Sequence, residues 1–197
     1  DLVNNGKATV MKYEYDSWVN TGIAGFSADS ALYISIAIKN NGVPLVVYKD
    51  KGYNGRVTVK KFSNYSWRTV GLPGFSAGEV AYTSIAINNH AVPFVVYRDE
   101  ANGGRATVKK FTDGNWKNVG LAGFTSTAVT NTSIRIECGT VPWIVYRDEI
   151  SGNVELRKFQ QGNWVEIPSP GQASSGVDMV INEWGTPYLF FREYAYP

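Results

Sequence analysis

One nine-residue pattern occurs four times at nearly constant spacing, and it restricts the fold more than any other feature of the chain. It reads VPLVVYKDK at Val43–Lys51, VPFVVYRDE at Val92–Glu100, VPWIVYRDE at Val141–Glu149 and, weakened, TPYLFFREY at Thr186–Tyr194. Its prolines, Pro44, Pro93, Pro142 and Pro187, are spaced 49, 49 and 45 residues apart. Trp18, Trp67, Trp116 and Trp164 keep spacings of 49, 49 and 48, and Gly25-Phe26, Gly74-Phe75 and Gly123-Phe124 form a third marker set. Three independent markers on one period mean one supersecondary unit, repeated.

Within a period, alternation and turn residues predict four short strands. In the second full unit they are TSIAIN (83–88), VPFVVYRD (92–99), RATVKKF (105–111) and NWKNVG (115–120), joined by NNHA, EANGG and TDG turns of hairpin type. No segment carries a helical period of 3.6. Four antiparallel strands in about 49 residues, repeated, are the signature of β-propeller blades, so the expected fold is all-β.

The ends complement each other. Asp1 aligns with Asp99, so the chain opens on third and fourth strands, KATVMKY (7–13) and SWVNTG (17–22). It ends on first and second strands, VDMVIN (177–182) and TPYLFFRE (186–193). The expectation is a single domain over 1–197: a four-bladed β-propeller with blades near 33–71, 82–120 and 131–167, the fourth made by 177–193 pairing with 7–22. Such closure would remove unpaired strand edges. An open fragment of a longer array and an eight-bladed ring from two chains are the alternatives.

Composition narrows the partners. A net charge of +2 spread over 197 residues, with scattered basic side chains, gives no nucleic-acid footprint. No run approaches the roughly 18 apolar residues of a membrane span, so no membrane insertion is expected. Cys138 is the single cysteine and forms no internal disulfide.

Much of the repeated chemistry reads as scaffold. A Trp in every unit fills the space between sheets. Aligning the first strands stacks Ser35, Ser84, Ser133 and Asp178, then Ala37, Ala86, Arg135 and Val180. Arg135 and Asp178 are therefore expected to pair near the axis, because a lone buried charge is costly. Ser35, Ser84, Ser133, Asp178 and Arg135 are also the candidates to line an axial channel, where an ion is the one cofactor to consider. The doublets Lys49-Asp50, Arg98-Asp99, Arg147-Asp148 and Arg192-Glu193 point base and acid to opposite neighbours, which suggests a ring of blade-to-blade latches.

The long connections GIAGFSADSALY, GLPGFSAGEVAY, GLAGFTSTAVTN and PSPGQASSG gather on one face, the expected functional face. There Asp50, Asp99, Asp148 and Glu193 could accept sugar hydroxyls, with Phe26, Phe75, Phe124, Tyr33, Tyr82 and Tyr53 as apolar platforms. Catalysis has less support. His90, the only histidine, falls in a hairpin on the opposite face, and no metal, nucleophile-elbow or phosphate-loop motif occurs. A pair of carboxylates from Asp29, Glu79, Glu100 and Glu149 keeps glycoside hydrolysis open. Trp143 and Trp184 break the repeat, and Trp184, in the EWGT hairpin, is expected to be exposed.

Units of the type TSIAINNxxxPFVVYRDxxNGxxATVKKFxxxxWxxVGxxGFS resemble repeats of bacterial secreted or cell-surface propeller proteins, over essentially the whole chain. The blade length and aromatic content are similar to those of propeller lectins, which bind sugars between blades, although no lectin binding motif matches residue by residue. The resemblance implies an extracellular or cell-surface location, with the leader outside this chain. It implies a non-catalytic recognition module whose partner is a glycan or a surface protein. A structural propeller domain of a larger surface protein and a carbohydrate-active enzyme are the alternatives.

Overall fold

The alternation read from the sequence folds into sixteen strands in the computed structural model of the protein, which describes residues 2–193. The first two, β1 (Met11–Glu14) and β2 (Ser17–Asn20), form a two-stranded sheet. Three four-stranded antiparallel sheets follow in simple sequential order. They are β3 (Ala31–Ile38), β4 (Pro44–Asp50), β5 (Arg56–Ser63) and β6 (Ser66–Thr69); then β7 (Val80–Ile87), β8 (Pro93–Asp99), β9 (Arg105–Thr112) and β10 (Asn115–Asn118); then β11 (Val129–Glu137), β12 (Val141–Asp148), β13 (Val154–Gln160) and β14 (Asn163–Ile167). A last pair, β15 (Ala173–Ile181) and β16 (Pro187–Glu193), forms its own sheet.

The fold is thus all-β with antiparallel sheets of two to four strands. It is not the closed ring the ends suggested. Among the described residues β1 pairs with β2 and β15 with β16, and no strand ladder joins the two half-blades. Asp1 and Tyr194, which entered the end alignment, lie outside the described residues.

Packing between consecutive sheets makes the core. In β4, Leu45 and Val47 point forward onto Val80, Ile85, Val95 and Tyr97, while Val46 and Tyr48 point back onto Phe26 and Trp67. The next junction repeats this, with Phe94 and Val96 against Ile134, Ile144 and Tyr146. Trp143 and Val145 then meet Val177 and Met179 of the final pair. The second strands β4, β8 and β12 are therefore apolar on both faces because each is covered twice, whereas β16 is covered on one face.

The first strands lie side by side along the inner edge and are stitched by their serines. Ser35 Oγ accepts from the Ile85 backbone N–H at 3.3 Å, and Ser84 Oγ from Ile134 N–H at 3.3 Å. Each of β3, β7 and β11 also carries a bulge, at Tyr33, Tyr82 and Asn131, where φ is +49°, +50° and +52°. The bulge inserts an extra residue and bends the strand, and nothing in the period-2 pattern reveals it.

Trp67, Trp116 and Trp164 each lie against a glycine of the preceding blade, Gly22, Gly71 and Gly120. Trp116 Nε1 donates to the Val70 carbonyl of the preceding blade at 2.8 Å, drawing the ring over Gly71. Gly71 has φ +72°, and a Cβ there would lie 2.9 Å from Phe111 and 3.1 Å from Trp116. Gly71→Ala is expected to cost about 1–3 kcal/mol through left-handed strain and the displaced ring. Gly103→Asn should be close to neutral, because Gly103 has open space around it and Asn54 already holds the equivalent left-handed position. Urea unfolding of both variants measures the difference.

Candidate functional site

The long connections and the tight hairpins meet at the rim between blades, where the repeat builds the same cleft more than once. After β10 the chain passes through Gly120, Leu121 and Phe124, and the β13–β14 hairpin of the next blade brings Gly162, Asn163 and Trp164 against them. Phe124 stacks on Trp164 with ring centroids 4.8 Å apart and planes 10° apart, and Trp164 Nε1 donates to the Val119 carbonyl at 2.8 Å. One blade earlier, Leu72, Phe75, Gly114, Asn115 and Trp116 line the equivalent cleft, with a stacked pair at 4.4 Å. The volumes differ, about 410 Å³ against 200 Å³.

The larger cleft is also chemically distinct. Its wall includes Arg157, which stands where β5 and β9 carry Lys60 and Lys109. The Arg157 guanidinium donates from Nε to the Tyr146 hydroxyl at 2.9 Å and from Nη2 to Glu166 at 3.1 Å. Glu166 replaces Asn118 of the second blade, whose side chain accepts from Lys109 at 2.7 Å. Glu155, on the same strand face, replaces Thr58 and Thr107; burial and then the charge of Glu166 push its carboxyl above the usual range. One blade therefore swaps a Lys–Asn–Thr set for an Arg–Glu–Glu set. The Tyr146 phenol is pushed up to about 12 by burial, so it stays protonated and neutral at physiological pH.

The residues expected at the site are distributed differently. Phe26, Phe75 and Phe124 stack on Trp67, Trp116 and Trp164, so one face of each is consumed by the scaffold. Asp50, Asp99 and Asp148 are buried at their strand ends rather than exposed to a ligand, and Asp50 Oδ2 and Asp99 Oδ1 have no hydrogen-bond partner among the described residues. Asp50 accepts from Gly52 N–H, Asp99 from Thr107 and Asn102, and Asp148 from Thr127 and from the Ile150 and Ser151 N–H groups. Asp50 and Asp148 thereby satisfy backbone N–H groups of the turn that follows, whereas Asp99 is held by side chains alone. Tyr33 and Tyr82 sit at the bulges with ring centroids 4.9 Å apart, and Tyr53 and Glu193 are exposed.

Latches between blades exist, with different acids. Lys49 pairs with Glu79, and Arg98 Nη1 reaches Glu149 at 2.8 Å while its Nε holds Glu100 at 2.7 Å. Arg147 instead donates to the Ala173 carbonyl at 2.7 Å. The carboxylates considered for hydrolysis are thus held by cations, and Asp29 caps its own turn through Ser30 N–H.

On the inner edge Arg135 pairs with Asp178 at 2.9 Å, and Ser133 donates to the same carboxylate oxygen at 2.7 Å. Ser35 and Ser84 are engaged in the backbone links between first strands. Among the described residues, no three His, Cys, Asp or Glu side chains gather as a metal site. His90 and Trp184 are exposed. Trp143 is buried, donates from Nε1 to Glu137 at 2.6 Å, and carries the Lys158 ammonium 4.9 Å over its ring.

The Glu137–Lys158–Trp143 clasp has a pH signature. Burial would raise the Glu137 carboxyl, but hydrogen bonds from Lys158 and Trp143 outweigh it and hold the group below its ordinary range. A carboxyl lowered on folding contributes stability above its unfolded pKa and loses it as pH falls through the folded value. Stability is therefore expected to drop below about pH 4, and Glu137→Gln should flatten this acid limb while costing about 1–2 kcal/mol at neutral pH. Urea titrations at several pH values measure both. Asp50 and Glu155, raised chiefly by burial, contribute with the opposite sign.

No protein-family model and no curated protein sequence matches this chain. Its fold is similar to solved lectins and to a glycoside hydrolase. The SapL1 lectin in complex with α-methyl fucoside superposes with a TM-score of 0.63 at 14% identity, covering 96% of this chain and 65% of that one. Aleuria aurantia lectin, solved with Fucα1-6GlcNAc, gives 0.59 at 12%, covering 83% and 56%. The exo-β-1,3-galactanase from Phanerochaete chrysosporium gives 0.60 at 12%, covering 89% and 46%. The chain spans roughly half to two thirds of the length of these structures, and at such identities the likeness is one of lectin-like propeller fold.

Proposed function

We propose that the protein is a non-catalytic carbohydrate-binding module and that its principal glycan site is the cleft between the β10–β11 connection and the β13–β14 hairpin. The observation that carries this reading is the break in repeat symmetry at Arg157. An apolar wall of Leu121, Phe124 and Trp164 stands beside a guanidinium and the Asn163 amide in an open cleft of about 410 Å³. Such a surface fits a pyranose, whose C–H face packs on the apolar wall while its hydroxyls meet fixed donors. The likeness to lectins solved with fucosides supports the class of ligand and makes α-fucosides the first probes. A location outside the cell or at its surface belongs to the same proposal and rests on the resemblance of the repeats.

Hydrolysis is the second reading, favoured by one arrangement: Glu155, raised by burial, and Glu166 act electrostatically on one another next to Arg157.

A glycan array followed by calorimetry tests the proposal. Sugar-competable binding is expected, and Arg157→Lys should weaken it at least about tenfold, the loss of one charge-assisted bond. The fold should tolerate that change, because Lys60 and Lys109 occupy the equivalent sites. Silence across a broad array, or binding indifferent to Arg157→Lys, overturns the assignment. Polysaccharide turnover abolished by Glu155→Gln supports the second reading instead.

A further inference from the structure

Three junctions inside the molecule show what covers each face of a blade, and the same faces are bare at the two ends. The forward-pointing residues Leu45, Phe94 and Trp143 are 1%, 5% and 6% exposed, yet Tyr188, which aligns with them, is 59% exposed. Val47, Val96 and Val145 are fully buried, and their counterpart Phe190 is 77% exposed. At the other end, Ile85, Ile134 and Met179 are 3%, 0% and 1% exposed, but the aligned Ile36 is 51% exposed. Beside Ile36 run two open grooves of about 360 and 550 Å³, bounded by Val10, Met11, Ile34 and Ile38.

We propose that these faces cover each other between copies of the chain, with β15–β16 of one copy completing a blade with β1–β2 of a second, head to tail.

The groove has the shape of the strands it would receive. β1 and β2 hold the third and fourth places of a blade against β3–β6, and Ala8 and Val10 already pack with Val46 and Tyr48. The vacant places are the first and second, and β15–β16 supply those two strands in the right order. The registers Val47↔Val59, Val96↔Val108 and Val145↔Leu156 carry over to Phe190 opposite Val10. Residues 7–10, aligned with the start of β5, are not in a strand here, whereas 56–59 are. Pairing in trans would extend β1 to match β5, β9 and β13. It would also remove two strand edges that otherwise present open backbone groups. Trp18 is 66% exposed, while Trp67, Trp116 and Trp164 each donate to a carbonyl of the preceding blade. A partner's Ile167 carbonyl occupies that place in the joined assembly. The contact is heterologous, so copies form a closed ring when the rotation closes and a chain of blades otherwise.

The test uses the 197-residue chain. Light scattering after size exclusion at micromolar concentration is expected to give at least twice the chain mass, and Tyr188→Lys with Phe190→Lys should give a monomer with unchanged circular dichroism. In a Cys138→Ser background, mixing one copy carrying Val10→Cys with another carrying Phe190→Cys should form a mixed disulfide under mild oxidation. A wild-type monomer overturns the proposal, as does an oligomer that survives both lysines. A double-cysteine chain that bridges only within itself would show closure in cis and overturn it equally. None of these outcomes depends on glycan binding.

Discussion

Each complete blade in this protein is a layer between two other layers, and burial of its second strand on both faces is the condition on which the rest of the packing depends. Val47 and Tyr48, neighbours in sequence, point to opposite sides and are both fully buried. That is achieved only when sheets stack in series at close spacing, each presenting a forward and a backward apolar face. The period of about 49 residues follows from this demand, since one unit must supply four strands, a return connection and one copy of each face. A Trp–carbonyl bond repeated at each complete junction then sets the spacing at the rim, and the serine links set it at the inner edge.

Function on such a scaffold has to come from departures, because the repeated polar groups at the strand ends are either engaged or buried. Thr107 and Asn102 hold Asp99, Glu100 and Glu149 hold Arg98, and each Phe–Trp stack gives one face of its phenyl ring to the scaffold. The third complete blade alone exchanges its lysine for Arg157 and its asparagine for Glu166, and its cleft is twice as large as the one before it. Joining copies through their end blades would place several such clefts on one body. Sites of modest individual affinity gain avidity when a surface presents many copies of the ligand.

Legibility differed by the kind of information each residue carries. The strands, their order in each sheet and the scaffold role of the repeated Trp could be read directly, since period and alternation are linear properties of the chain. The Arg135–Asp178 pair was also legible, because the repeat alignment places both residues on adjacent first strands. The latches were legible in kind but not in partner: Arg98 takes Glu149, one residue beyond the expected Asp148, which is turned inward to cap its turn. The bulges at Tyr33, Tyr82 and Asn131 left no trace in the pattern, and neither did the clefts. Arg157 and Glu166 were visible as departures from the repeat, yet nothing linear brings them beside Leu121 and Phe124 of another blade.

The sequence by itself determined the unit, its four strands and the Trp that each unit places between sheets. These depend on contacts between residues close in the repeat or one period apart, so periodicity encodes them. The tertiary structure alone decided that no strand ladder joins the end half-blades among the described residues, that the strand-end aspartates are buried, and that one inter-blade cleft is larger and charged. Each of those depends on the angle and offset between whole sheets. That is a collective property of all the packed junctions, and no single repeat contains it.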